Sequence, residues 1–371
     1  MEKDRRVALS NRDVTVSDEE DEKVELESTD VDRITPSSDC YPLRRYPFRR
    51  QIRRKARQEI KENDCKDPVP NTAIKKKADQ STANLQEMVK SFNQCSGASN
   101  STDTKRRKSL NWPNFDGKIY GMAFHSDGTL AVVYFAKRCI YRFNSEYNII
   151  QIINCSKVNG RCTKPAAISF DSEGNLYVTD IRYHKVLKFD QNGTFLYQFG
   201  RKGSCDGQLD YPTGISVLGG SVYVADSRNA RVSVFTTDGT FQCTIGDGKL
   251  GKPHDISTND QQQIVVADMA HKCVYVFTID GNYCSRFGTG QFYRPQCLTT
   301  FIGFTYVVDS YNHNLLVFNT SGECVCQCNI GTTGHSRSPS SQPLGITINQ
   351  KGRLLVSGDC IHEFPIRVHI E

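Results

Sequence analysis

The sequence predicts an all-β protein, a six-bladed β-propeller over residues 111–371 preceded by a disordered, charged tail. Three observations carry this. First, one phrase of four short apolar runs recurs along the chain. In Pro212 to Gly246 it reads Ile215-Ser216-Val217, a Gly-Gly turn, Val222-Tyr223-Val224-Ala225-Asp226, then Val232-Ser233-Val234-Phe235, Asp238-Gly239, and Phe241 to Gly246. Second, the position of Asp226 has equivalents at 134, 180, 268, 309 and 358, with successive offsets of 46, 46, 42, 41 and 49. A steady period of this size marks a repeat architecture. Third, the apolar runs are rich in Val, Ile, Tyr and Phe and never keep helical spacing beyond a turn, so they are strands. Four such strands cannot bury both faces alone, and six units close most naturally into a ring of blades.

From the N-terminus, charge is segregated. Residues 1–32 carry a net −7, residues 33–110 a net +11 and the remainder a net +2, of a total of +6. With tracts such as Asp18 to Glu22 and Arg49 to Arg57, residues 1–110 bury too little apolar surface to offset their ordering entropy, so disorder is expected there. The basic clusters Arg49 to Arg57 and Lys105 to Lys108 read either as a solvated tail or as nuclear-import or nucleic-acid patches. Ser109, following Arg106-Arg107-Lys108, could accept a phosphate. No run of about 18 apolar residues and no signal peptide are present, so neither membrane insertion nor export is expected. The expected location is cytoplasmic, with nuclear entry through the basic clusters. The fifteen cysteines are expected to be free thiols.

The first blade, Tyr120 to Ile153, is worn: Leu130-Ala131-Val132-Val133 leads into Tyr134 rather than Asp. Blades two to five, Pro165 to Gly200, Pro212 to Gly246, Pro253 to Gly288 and Pro295 to Gly331, keep the full phrase. The sixth, from Pro343, is worn again, with Gly358 in the Asp position and strands expected at 344–348, 353–357 and 366–370. It lacks an outer strand, which the segment Ser109 to Trp112 is placed to supply, closing the ring.

The phrase of proline, apolar strand, Gly turn, Tyr-Val-x-Asp, x-x-Asn-His and apolar-x-Val-Phe resembles the NHL repeat. Residues from about 118 to 371 resemble the propeller of tripartite-motif NHL proteins. Asn312-His313 matches the signature dipeptide in full, His184 keeps only the His, Asn229 only the Asn, and His271 stands one place early. Proteins of that kind typically begin with a RING finger and a B-box, both zinc-bound. Cys40, Cys65 and Cys95 cannot build either, so this chain is not expected to be a RING-type ubiquitin ligase.

Several motifs invite a chemical reading. Asp180, Asp226, Asp268 and Asp309 look like a ring of carboxylates, but an Asp at the head of a polar loop accepts N–H groups of the residues that follow and holds the turn. His184, His271 and His313, one per blade, lack zinc spacing, and Cys324-x-Cys326-x-Cys328 in an outer strand is not a zinc module. No metal and no cofactor are expected. Lyase- or lactonase-type propeller enzymes gather metal ligands on the axis. Here only His254 and Asp255 could contribute, too few for a catalytic metal, so the propeller is read as non-catalytic.

What remains is a surface. The loops expected on one face carry Arg161, Lys164, Arg182, Tyr183, His184, Tyr211, Arg228, Asn229, Lys252, His254, His271, Lys272, Tyr293, Arg294, Tyr311, Asn312 and His313. Cations interleaved with rings suit single-stranded or looped RNA. They equally suit a protein partner, and the resemblance implies either: post-transcriptional regulation, or substrate recognition beside ubiquitin-ligase components. The propeller is expected to be monomeric.

Overall fold

A computed structural model describes residues 112, 113, 115, 117–155, 158, 163–330 and 342–365. The tail with its basic clusters, and Arg161, lie outside the described residues. Blade one comprises β1 (Ile119–Phe124), β2 (Leu130–Tyr134), β3 (Cys139–Phe143) and β4 (Ile149–Asn154). Blade two is β5 (Pro165–Phe170), β6 (Leu176–Asp180), β7 (Lys185–Phe189) and β8 (Phe195–Phe199). Blade three is β9 (Pro212–Leu218), β10 (Ser221–Asp226), β11 (Arg231–Thr236) and β12 (Phe241–Ile245). Blade four is β13 (Pro253–Thr258), β14 (Gln263–Asp268), β15 (Cys273–Thr278) and β16 (Tyr283–Phe287). Blade five is β17 (Pro295–Phe301), β18 (Phe304–Asp309), β19 (Asn314–Phe318) and β20 (Cys324–Asn329). Blade six is β21 (Gly345–Ile348), β22 (Arg353–Ser357) and β23 (Ile361–Pro365). Each blade is an antiparallel meander in chain order.

Burial peaks at the second strand of each blade, above that of the inner strands such as β1 and β13, and is least in the outer strands. The second strands β2 and β6 are buried along their whole length, whereas four of the five residues of the outer strand β16 are exposed. Second strands are covered on both faces by neighbouring blades, which is why they read as continuous apolar runs rather than alternating ones. The core is accordingly a set of layers between blades. Tyr177 and Val186 of blade two pack with Val224 and Phe235 of blade three. Leu355 and Ile361 of blade six pack with Ile119, Val132 and Phe143 of blade one, so the ring is closed.

The closure has polar and aromatic parts. Ile119 N donates to Gly358 O at 2.9 Å, and Ser357 Oγ to Ile119 O at 3.1 Å. Gly345 has no room for a side chain, because a Cβ would stand 2.3 Å from Tyr120 O. Upstream, the Trp112 ring lies 5.3 Å from Phe143 and 4.9 Å from Tyr147, and Phe115 packs edge-on against Tyr134 and Tyr141. Of the expected closing strand Ser109 to Trp112, only Trp112 is among the described residues.

Two expectations are corrected. The third strand of blade six is Ile361–Pro365, not 366–370, which lies outside the described residues. A tight turn, with Gly358 N donating to Cys360 O at 3.0 Å, brings Ile361 opposite Ser357 sooner than the loops of the other blades would. Ile366 to Ile370 alternates apolar and polar residues, but a turn sets register, and this one starts the strand earlier. The second correction concerns thiols. Ten described cysteines are free, but Cys205 is disulfide-bonded. Bonding needs two sulfurs brought together in space, which spacing along the chain does not report.

Candidate functional site

The loops entering each blade, and those joining second to third strands, meet on one face, called here the upper face. Four aspartates hold them together. Asp268 Oδ1 accepts the N–H groups of Lys252, Ala270 and His271, each at 3.0 Å, and Oδ2 accepts Gly251 N at 2.6 Å. Asp309 accepts Tyr293 N and Arg294 N, both at 2.8 Å, and Asp180 accepts Lys164 N, Arg182 N and Tyr183 N. Asp226 accepts Asp210 N at 2.6 Å and pairs with the buried Arg231 at 3.0 Å. The expected turn role therefore extends further: each carboxylate also grips the loop about 16 residues upstream and ties two loops into one clamp. These interactions satisfy loop N–H groups that no strand partner serves.

The signature Asn and His serve the same turn. Three residues after the Asp, Asn312 Nδ2 donates to Asp309 Oδ2 at 2.8 Å, Asn229 Nδ2 to Asp226 Oδ2 at 2.9 Å, and His271 Nδ1 lies 3.2 Å from Asp268 Oδ2. Four residues after the Asp, His184, Ala230, Lys272 and His313 all have left-handed φ of 52–56°. That conformation favours residues such as Asn and His over bulky branched ones. His184 is only 8% exposed, and its Nδ1 accepts Tyr211 N at 2.8 Å, so it joins the loops of two blades. Burial pushes its imidazole below the ordinary value, keeping Nδ1 free to accept.

Asn229 and Asn312 thus belong to the turn and His184 to the contact between loops, while His313 Nδ1 is buried without a partner among the described residues; beyond them the rim consists of cations and rings. Arg182, Arg228, Lys252, Lys272, Tyr293 and Tyr311 are exposed, whereas Lys164, Tyr183, Tyr211 and Arg294 are half-buried. Tyr293 and Tyr311 stack at 4.1 Å with an interplanar angle of 29°, and Lys272 Nζ stands 4.5 Å from the Tyr293 ring on the neighbouring blade. The Arg228 guanidinium lies 4.8 Å from the Tyr211 ring, and Arg182 lies 5.7 Å from that of Tyr183. Such cation–π contacts hold the cations over ring faces while leaving their charge available.

At the centre the rim opens into an axial channel of about 270 Å³, lined at its mouth by Tyr120, Tyr211, His254 and Gln296 and deeper by Asp255, Cys297 and Leu298. A register shift between Pro253 and Asp255 lets the consecutive residues His254 and Asp255 both reach it, which regular alternation would forbid. Burial moves the two in opposite directions. His254 falls to about 4, with Arg294 and Lys252 adding to the effect, and Asp255 rises to about 7, although Leu298 N and Ile256 N donate to it at 2.9 Å each. Lys252 is itself pushed down, by burial and then by Arg294 and Arg228. Among the described residues no three His, Cys, Asp or Glu side chains converge as a metal site. Nor is any described helix long and apolar enough to cross a membrane.

The NHL repeat family matches residues 209–235, which span the first three strands of blade three. Protein brain tumor of Drosophila melanogaster is 26% identical over 111 residues, 29% of this chain and 11% of that protein. RING finger protein nhl-1 of Caenorhabditis elegans is 53% identical over 49 residues, 13% of this chain and 5% of that protein. The matched stretches are thus small parts of both relatives. Among solved structures, a streptogramin B lyase superposes with a TM-score of 0.53 at 15% identity, covering 68% of this chain and 95% of that one, a likeness of fold alone. The chain carries the NHL repeat, and its six-bladed propeller resembles that of the tripartite-motif NHL proteins.

Proposed function

We propose that the upper face binds single-stranded or looped RNA, as a non-catalytic reader that recruits other factors to the bound transcript. The observation that carries this reading is the composition of the rim once the turn residues are set aside. Cations stand beside rings, of which Tyr293 and Tyr311 are exposed, while the four turn Asp residues accept loop N–H or side-chain donors and Asp210 lies 3.2 Å from His184 Nδ1 and 3.9 Å from Arg228. Phosphates would meet Arg182, Arg228, Lys252, Lys272 and Arg294. A base would stack on the open side of the Tyr293–Tyr311 pair. The resemblance to tripartite-motif NHL propellers supports a binding role of this kind.

The test is a titration of the full chain with labelled single-stranded RNA at several salt concentrations, beside a variant with Arg182, Arg228 and Arg294 all changed to Glu. Affinity should fall by orders of magnitude over a fewfold rise in salt, and the variant should not bind. Unchanged binding by the variant would overturn the site. Capture of a protein partner instead, anchored by Tyr311 and insensitive to salt, would replace the RNA reading with protein recognition, such as that of a substrate adaptor in ubiquitination.

A further inference from the structure

The channel mouth holds an acceptor where its surroundings are cationic. His254 Nδ1 lies 2.7 Å from Gln296 O. A carbonyl only accepts, so Nδ1 carries the proton. Burial and the nearby Arg294 and Lys252 hold the ring neutral, which leaves Nε2 as a bare lone pair. Nε2 has no hydrogen-bond partner among the described residues. Arg294, in the loop entering the next blade, has its Nε buried and likewise without a partner among them. The carboxylate that lines the same channel, Asp255, is engaged by the N–H groups of Ile256 and Leu298.

A lone pair with cations nearby, Lys252 two residues before His254 and Arg294 two residues before its partner Gln296, narrows the choice of ligand. A metal ion would be repelled by Arg294 and Lys252. A bare carboxylate or a phosphodiester would satisfy the cations but offer Nε2 no proton. A group that carries a hydroxyl beside an anion satisfies both, and ribose 2′-OH next to the backbone phosphate is that arrangement. Deoxyribose lacks it.

We propose that the mouth of the axial channel is a ribose-phosphate subsite, in which Lys252 and Arg294 hold a backbone phosphate and His254 Nε2 accepts the 2′-hydroxyl proton. His254 is then the residue that distinguishes RNA from DNA. This rests on the RNA reading above and adds the sugar to it.

The experiment compares the full chain's affinity for labelled, random-sequence single-stranded RNA, the corresponding DNA, and 2′-O-methyl RNA at one salt concentration. The wild type should prefer RNA by about three- to tenfold, as one added neutral hydrogen bond gives. The 2′-O-methyl RNA, which has lost the donated proton, should bind like DNA. His254→Phe should lower RNA affinity to the DNA level and leave DNA binding unchanged, whereas Lys252→Ala should weaken both alike. The 2′-O-methyl arm alters only the ligand, so it decides even if the Phe variant folds poorly. Equal binding of RNA and 2′-O-methyl RNA, or equal loss of RNA and DNA binding in His254→Phe, would overturn the subsite. Absence of binding to all three probes would overturn the RNA reading itself, and the subsite with it.

Discussion

His254 and Asp255 are consecutive residues of β13 that both line the axial channel, and burial there shifts their ionisation in opposite directions. The His254 imidazole titrates at about 4 in the fold against an ordinary 6.5, so between those values the folded protein binds fewer protons than the unfolded chain, and this residue's contribution to stability grows as pH rises. Asp255 titrates at about 7 against an ordinary 3.8, so the folded protein keeps a proton that the unfolded chain has lost, and its contribution shrinks as pH rises through the same window. The two slopes oppose each other.

Removing either residue should therefore expose the other. In urea titrations between about pH 4.5 and 6.5, His254→Gln should make stability fall with pH, and Asp255→Asn should make it rise, each by at most about 1.4 kcal/mol per pH unit. Both side chains stay partly accessible from the channel, which keeps the observed slopes below that ceiling. Slopes that change in the same direction in both variants would refute this account.

The Asp clamp is expected to dominate the stability of the upper loops. Asp268→Ala leaves four N–H groups of two loops without their acceptor and should cost roughly 2–4 kcal/mol in chemical denaturation. Asp238→Ala, in an exposed turn where it accepts Thr240 N at 3.0 Å, should leave the denaturation midpoint nearly unchanged. Similar costs at both sites would show that the clamp adds nothing beyond a turn.

Ring closure places Trp112 and Phe115 between blades one and six. Phe115→Ala should lower stability by about 3–5 kcal/mol, as loss of a buried aromatic does. A chain lacking residues 1–100 should melt as the full chain does, while one lacking everything through Pro113 should melt lower. Identical melting of the two truncations would exclude a closing role for the segment between them.

Adjacent residues of one loop should separate binding from folding. Tyr311 is exposed and stacked on Tyr293, so Tyr311→Ala should weaken RNA binding by roughly 1–3 kcal/mol without changing the melting temperature. Asn312 holds Asp309, so Asn312→Ala should lower the melting temperature while leaving Tyr311 in place. Paired melting and binding curves on the two variants would show whether the division is real.

The propeller was legible because each of its determinants is local. Val222-Tyr223-Val224-Ala225 is apolar on both faces since any second strand lies between two blades, and Asp238-Gly239 marks the hairpin that leads into the outer strand. The site was only half legible. Arg182, Arg228, Tyr293 and Tyr311 fall on the rim because loop position follows from strand order. Asn229, Asn312 and His184 sit in the same loops, yet their side chains turn back to the Asp clamp or to the next blade's loop, and a one-dimensional pattern does not state where a side chain turns.

By itself, then, the sequence determined the number of blades, the strands of the first five and the face on which cations and rings gather, because period, alternation and turn residues act within a few residues of one another. Only the tertiary structure decided which loop residues stay free, where β23 begins, that Cys205 is bonded, and that His254 and Asp255 share a channel wall. Each of those depends on groups brought together from separate blades, and their burial and hydrogen bonding exist only once the ring has closed.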